Sequence, residues 1–400
     1  MRILMCLGNP FPPDIRIEKE ARALARAGHE VYVLSPFIEE RPVEEDMGYA
    51  MVLRHIPEQP LVKKAWVFAH MAFRGVDPLW QRKIAEAVEE KRIEAIHVHD
   101  LPMVNTGHKI ARSRNIPLVA DLHENYPELA GIYRGNWRSK IAGIILSEKR
   151  WKSFQREWLR HVDRVITVID EIGGRLVSEY GVPEEKITIV MNTEDIDYFL
   201  SIPVQEDVVN RYRPFFTISY IGGFSAHRGI QTAISAMPGI LKVIPEARLL
   251  LVGAGAVENE VRELAQKLGV DGAVEFTGWQ PFELVPSFIA ASHVCLVPYI
   301  KSVQTNNSGP HKLFQYMAMG KPLIVSSMAS LSRIMEETGA GLVYPAEDAG
   351  ALAEAVIRLY KDKDLATRLG QAGINAVKTK YNWEIEGRKL VELYRNLKVQ

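Results

Sequence analysis

Residues 2–35 read RILMCLGNPFPPDIRIEKEARALARAGHEVYVLS, and the order of the local signals in this stretch decides the fold. Residues 2–7 form an apolar run of strand length that stops at Gly8-Asn9-Pro10, too short for the hydrophobic region and cleavage site of a signal peptide. A Pro-rich loop, 9–13, follows. Ile17, Ala21, Leu24 and Ala25 then fall at the spacing of one helix face, with Gly28 where a C-terminal cap belongs. His29–Ser35 returns to strand character, so the stretch is one βαβ unit.

Outward from this unit the rhythm repeats. Strand-like runs at 95–98, 117–122, 164–169 and 187–190 alternate with helical spacings, as a parallel sheet covered on both faces requires. Residues 195–214 interrupt with Pro203 and a mixed-charge run, after which strands at 215–221, 248–252, 273–276, 294–297 and 322–325 resume the alternation. An amphipathic segment, 383–397, comes last. The expected fold class is α/β with two doubly wound domains, residues 1–201 and 215–382. Ligands of such sheets lie beyond the carboxyl ends of the strands, which points to the post-strand loops and to a cleft between the domains.

Composition narrows the function. Lys and Arg total 49 against 49 Asp and Glu, and 47% of the 400 residues are hydrophobic, which excludes a disordered chain and argues against a nucleic-acid partner. Two cysteines, Cys6 and Cys295, each sit in an apolar run, so no disulfide framework is expected and a reducing, cytoplasmic setting fits. No uninterrupted apolar run reaches the ~18 residues of a membrane span, and the expectation is a protein that is soluble or peripheral on the inner face of the cell membrane.

Three motifs carry chemistry. Residues 305–325, TNNSGPHKLFQYMAMGKPLIV, place a flexible loop before a helix with Lys312 in its first turn; free N–H groups, the positive helix end and an ammonium suit a phosphate, although a Pro-started helix with a solvated lysine fits equally. Tyr220-Ile-Gly-Gly-Phe-Ser-Ala-His-Arg-Gly229 ends a strand in paired glycines and reaches Arg228, whose guanidinium can hold phosphate oxygens, or is simply a surface arginine after a tight turn. Asp121-Leu-His-Glu-Asn-Tyr-Pro-Glu128 gathers Asp121, His123 and Glu124 after a strand, candidates for hydroxyl binding or acid/base work; His99-Asp100 repeats the pattern more weakly, and a lone histidine is more often structural.

Two other signals weigh less. Gly253-Ala-Gly255 lacks the third glycine of a dinucleotide fingerprint, because Glu258 stands there, and Glu275 lies in mid-strand. Asp195-Ile-Asp197, at the start of the linker, reads as structural. Between 131 and 164, nine Lys and Arg face three Asp and Glu with Trp137, Trp151, Phe154 and Trp158 interleaved, and Lys63-Lys64-Ala-Trp66-Val-Phe68 is similar. This is either an anionic-membrane surface or a core helix with a charged outer face.

These residues jointly resemble the retaining glycosyltransferases of family 4, whose GT-B architecture is two Rossmann-like domains facing across a cleft with a C-terminal helix, here 383–400, returning to the first. The resemblance spans nearly the whole chain and rests on Ala27-Gly28-His29-Glu30-Val31, His123-Glu124, Tyr220-Ile-Gly-Gly, Arg228-Gly229, Leu250–Gly255, Phe276-Thr-Gly278, Val297-Pro298-Tyr299 and, above all, Lys312-Leu-Phe-Gln-Tyr-Met-Ala-Met-Gly-Lys-Pro322. It implies transfer of a hexose or N-acetylhexosamine from a nucleotide diphosphate sugar, uridine being the base expected, to a glycan or lipid-linked hydroxyl in cell-envelope polysaccharide or glycolipid synthesis, with no cofactor and no metal. Arg228 and Lys312 would hold the diphosphate and, with His123, form the catalytic set. The donor would also meet Gly222, Gly223, Gly253, Thr277, Gly278, Trp279, Gln280, Asn307, Ser308, Gly309, Pro310, His311, Leu313 and Gln315; the acceptor would meet Gly8, Asn9, Asp14, Arg16, His99, Asp100 and Glu124.

The chain departs from the family at three places. Asn307 and Gln315 stand where the family often carries two glutamates, Gly223 stands where an arginine is common, and Asn9-Pro10-Phe11-Pro12-Pro13 replaces a glycine pair. A non-catalytic nucleotide-sugar binder and a sugar-nucleotide epimerase are the alternatives.

Overall fold

The computed structural model describes residues 1–56, 75–123, 125–128, 147–306 and 309–397. They form two compact units: Met1–Met191 with Glu386–Gln400, and Asn192–Ile385.

The first unit is built on eight strands: β1 (Arg2–Cys6), β2 (Glu30–Pro36), β3 (Glu44–Asp46), β4 (Met51–Ile56), β5 (Ala95–His99), β6 (Leu118–Leu122), β7 (Arg164–Thr167) and β8 (Ile187–Ile189). Their order is β3-β4-β2-β1-β5-β6-β7-β8, and only β3 pairs antiparallel. Ile3, Leu4, Met5 and Cys6 of β1 have no exposed surface, the mark of a strand covered on both faces. The helix Ile15–Arg26 makes the crossover to β2. Its first turn is capped by the Asp14 side chain, which accepts from Arg16 N and Ile17 N, and its buried stripe includes Ile17, Ala21 and Leu24. The strand order reverses between β1 and β5, so the loops leaving these two strands diverge and leave a crevice.

The sequence pattern does not show β3 or β4. Strand β4 reads MVLRHI, and charged residues inside a short run hide its strand character. Arg54 is nonetheless 1% exposed: it donates to Phe11 O at 3.1 Å, Pro42 O at 2.7 Å and Glu45 Oε2 at 2.6 Å, which satisfies the charge that burial would otherwise penalise.

The second unit holds β9 (Phe216–Ile221), β10 (Ala247–Val252), β11 (Val274–Gly278), β12 (Val294–Val297), β13 (Leu323–Ser326) and β14 (Gly341–Tyr344). The order is β11-β10-β9-β12-β13-β14, all parallel, with the reversal between β9 and β12. Strand β14, GLVY, opens on a glycine and lies at the sheet edge only partly buried, so it lacks the apolar run of the inner strands. Residues 192–201, expected with the first domain, belong to the second unit, where Phe199 is fully buried with its ring 6.0 Å from that of Phe282. The last helix, Trp383–Arg395, feeds back into the first unit, where Tyr394 Oη lies 2.9 Å from His97 Nδ1.

The helix Glu148–Trp158 favours the core-helix reading of its stretch. Trp151 is buried and meets Tyr126 and Phe154 edge-on at 4.6 and 5.2 Å, while Lys149, Lys152 and Arg156 point to solvent. The basic aromatic residues at 63–68 and 131–146 lie outside the described residues. Among the described residues no helix is long and apolar enough to cross a membrane. Cys6 and Cys295 are both buried.

The helix His311–Ala318, which carries Lys312, is braced by the helix Lys363–Thr379. A Cβ added at Gly370 would lie 2.1 Å from Gly320 O, a backbone atom that no rotamer change can move. Gly370→Ala should therefore lower unfolding free energy by about 1–3 kcal/mol despite the better helix propensity of alanine. Gly174→Ala, in the helix Asp170–Tyr180 and with nothing within 4 Å of the added methyl, should raise it by up to about 1 kcal/mol. Urea unfolding of both variants checks the opposite signs.

Candidate active site

Each unit concentrates its polar chemistry where its strand order reverses. In the second unit β9 ends at Ile221 and the chain turns at Gly222, whose φ of +135° is open to glycine and to few other residues. A Cβ there would lie 2.6 Å from Lys312 Nζ, so the bare backbone lets the ammonium reach the strand end. Lys312 Nζ sits 3.7 Å from the centre of the Tyr220 ring, and Tyr220 Oη donates to Gly223 O at 2.8 Å. Beyond β12, the buried Tyr299 takes a hydrogen bond from Arg228.

Lys312 and Arg228 therefore face the same strand ends with aromatic rings as neighbours. Burial, then the like charge of Arg228, holds the Lys312 ammonium well below its usual range. His227 feels burial and both cations and is pushed down to about 4, so it is neutral. The helix His311–Ala318 begins after Pro310 without a side-chain cap, so the positive end of its dipole lies beside this cluster. An anion would relieve the repulsion.

The other expected donor residues divide. Thr277 and Gly278 end β11, Gly253 N donates to Gly278 O at 2.9 Å, Gln280 Nε2 donates to Thr277 O at 2.8 Å, and Trp279 is 75% exposed. Leu313 does not fit its expected role: it is fully buried and its N–H donates to Pro310 O at 3.0 Å, so the helix turns it into the core. Asn307 and Ser308 lie outside the described residues. Gln315 and His311 both meet Glu194, a residue the motif reading passed over. Asp195 caps the helix Ile196–Ser201 and Glu275 accepts from Tyr212 Oη at 2.9 Å, which accounts for both as structural.

In the first unit, a cavity of about 570 Å³ is lined by Gly8, Asn9, Asp14, His99, Asp100 and His123, among others. Asp121, one of the three candidates in the motif 121–128, lies beneath it at the end of β6 and organises the floor. An ionised carboxylate only accepts, so His123 Nε2, 2.9 Å from Asp121 Oδ2, carries the proton, and Nδ1 is the ring nitrogen left for a ligand. Burial opposes charge on His123, but Asp121 outweighs it and lifts the imidazole to about 9. Asp121 itself stays well below the usual carboxylate range because Arg16 and His123 offset its burial. Asp100 adopts φ +67°, strained for a non-glycine, with its N–H donating to Asp121 O at 2.8 Å.

Arg16, expected to meet the acceptor, is 5% exposed and spends its donors internally, on Asp121 at 3.0 Å and Val190 O at 3.1 Å, with Glu20 Oε1 at 2.9 Å. Arg16 is the cation that the buried Asp121 carboxylate needs, while burial pushes the neighbouring Glu20 carboxyl up to about 8. Glu124 lies outside the described residues. Glu20, His97, His99 and Asp121 offer ligand atoms within 4.8 Å of one another, yet the guanidinium already bridges two of them and would repel a metal ion. The group reads as an ion-pair network.

Comparison with known proteins gives the family and the fold. Residues 15–198 match Glycosyltransferase Family 4 and residues 203–376 match Glycosyl transferases group 1. The chain is 25% identical to an uncharacterized glycosyltransferase of Methanocaldococcus jannaschii over 94% of its own length and 92% of that protein, and 25% identical to the alpha-monoglucosyldiacylglycerol synthase of Streptococcus pneumoniae over 89% and 78%. The structure of Anabaena HepE in complex with UDP superposes with a TM-score of 0.72 at 14% identity, covering 99% of this chain and 100% of that one. With the two family matches covering nearly all of the chain between them, and the two parallel-sheet units of a GT-B fold behind them, the protein belongs to the family 4 glycosyltransferases.

Proposed function

We propose that the protein transfers a hexose or N-acetylhexosamine from a nucleotide diphosphate sugar, with UDP as the first candidate carrier, to the hydroxyl of a glycan or lipid-linked acceptor, with retention and without a metal ion. The observation that carries the reading is the approach of Lys312 to the bare backbone of Gly222 at the reversal between β9 and β12, with Arg228 beside it. Two cations and the positive end of a helix at one point stabilise the charge that develops on a departing diphosphate. Chemically, the bond from the anomeric carbon to the diphosphate oxygen breaks, a bond to the acceptor oxygen forms on the same face, and the acceptor proton passes to the departing diphosphate.

The cavity of the first unit is the acceptor site in this reading. His123, protonated at neutral pH, serves there as a hydrogen-bond donor through Nδ1 rather than as a base. The name of the pneumococcal relative, a monoglucosyldiacylglycerol synthase, supports a lipid-linked acceptor within glycolipid synthesis, and a lipid acceptor would place the protein at the inner membrane face.

Lys312→Ala and Arg228→Ala should each lower kcat by about 100-fold or more, with circular dichroism unchanged, since each removes a charge from the leaving group. A double variant that turns over donor like the wild type would refute the phosphate assignment. A donor that binds tightly but is neither transferred nor hydrolysed across an acceptor panel would instead mark a non-catalytic binder, and donor converted without any acceptor would mark an epimerase.

A pH profile tests His123. Its folded-state value near 9 means the imidazolium is present at pH 7 and is lost as pH rises through about 9, so kcat should fall on that limb. In His123→Gln the rate at pH 7 should drop and the limb near 9 should disappear; a wild-type profile in the variant would remove His123 from the mechanism.

A further inference from the structure

Glu194 follows β8 in the segment Asn192-Thr193-Glu194-Asp195 and is 2% exposed. Its Oε2 lies 2.7 Å from Gln315 Nε2 and 3.1 Å from His311 Nε2, and its Oε1 accepts from Asp195 N at 2.9 Å. Its backbone oxygen accepts from Trp383 N at 2.9 Å, which pins the segment to the start of the last helix. His311 and Gln315 stand one turn apart on the helix that carries Lys312, so Glu194 bears on the same helix as the diphosphate cation.

Hydrogen-bond accounting fixes the orientation of all three groups. A carboxylate can only accept, so the nitrogens of Gln315 and His311 that face it both carry protons. In the neutral imidazole with its proton on Nε2, His311 presents Nδ1 as an acceptor, and Gln315 Nε2 lies 3.4 Å from it. The two amide hydrogens of Gln315 are thus directed to Glu194 and His311. The carbonyl oxygen becomes the amide atom that remains for a ligand. With an apolar residue at 194, nothing would decide which end of the amide faces which way.

We propose that Glu194 is a positioning residue of the donor site: it supplies from a distant segment the negative charge that position 315 does not carry, and it turns the Gln315 carbonyl toward a hydroxyl of the nucleotide sugar. The proposal rests on the donor-site reading given above. A hydroxyl is bound through its hydrogen, so an oriented acceptor is what the chemistry requires, and a freely turning amide would present a donor half of the time.

The test is a carboxylate swap in the full chain, with UDP and GDP as calorimetric probes and donor KM, kcat and unfolding midpoints as parallel readouts. Gln315→Glu sets a second carboxylate against the first; nucleotide affinity should fall about tenfold or more at pH 8 and recover toward pH 6, where the pair shares a proton. Combining Gln315→Glu with Glu194→Gln restores one carboxylate and one amide, and should bring affinity and donor KM back to within about threefold of wild type. Glu194→Leu should raise donor KM more than it lowers kcat. Wild-type affinity in Gln315→Glu at pH 8, or a swap no better than that single variant, overturns the proposal. If wild-type protein binds neither nucleotide, it is the donor-site reading that fails; the unfolding midpoints still test the pairing, which is overturned unless the swap regains the stability lost in Gln315→Glu.

Discussion

Every strand except β3 runs parallel to its neighbours, and a parallel sheet covered on both faces leaves polar chemistry nowhere but the strand ends. Both units obey this constraint. Strands β1, β5 and β6 deliver Gly8, His99, Asp121 and His123 to one crevice; β9 and β12 deliver Gly222 and Tyr299 to the other, where Arg228 and Lys312 join them. The apolar strands are what allow ionisable groups to be held at fixed positions around an opening, because nothing along the strands competes for them.

The two crevices treat charge in opposite ways. In the first unit the charges are matched before any ligand arrives: Arg16 joins Asp121 to Glu20, and Asp121 in turn charges and orients His123. That network is a rigid floor under a cavity. In the second unit Lys312 and Arg228 repel one another against the rings of Tyr220 and Tyr299. Such a site is electrostatically unfavourable when empty and would be relieved by an anion. Glu194 engages the same helix through His311 and Gln315.

The strand and helix rhythm was legible because it is local. Hydrophobic periodicity located β1, β2, β5 to β8 and β9 to β13 within a residue or two, missing only the two strands at one sheet edge, where Arg54 and His55 break the apolar run, and the four-residue β14. Of the site, the paired glycines at 222–223, Arg228, Lys312 and His123 were visible as types of residue after strands. The roles of Arg16 and Leu313 were carried over from the resemblance, which gives a position in the motif and not the partner it meets here: Arg16 is buried against Asp121, and Leu313 is buried in the core.

Sequence alone determined the α/β class, the doubling of the doubly wound unit and the post-strand position of the motifs, since each follows from spacings of a few residues and from the chemistry of single side chains. Tertiary structure decided which charge meets which. Arg16 and Asp121 are 105 residues apart, Glu194 and Gln315 are 121 apart, and His97 and Tyr394 are 297 apart. No periodicity couples such positions. Only the closing of a sheet brings them within hydrogen-bond reach, and it is burial on closing that makes their charges matter.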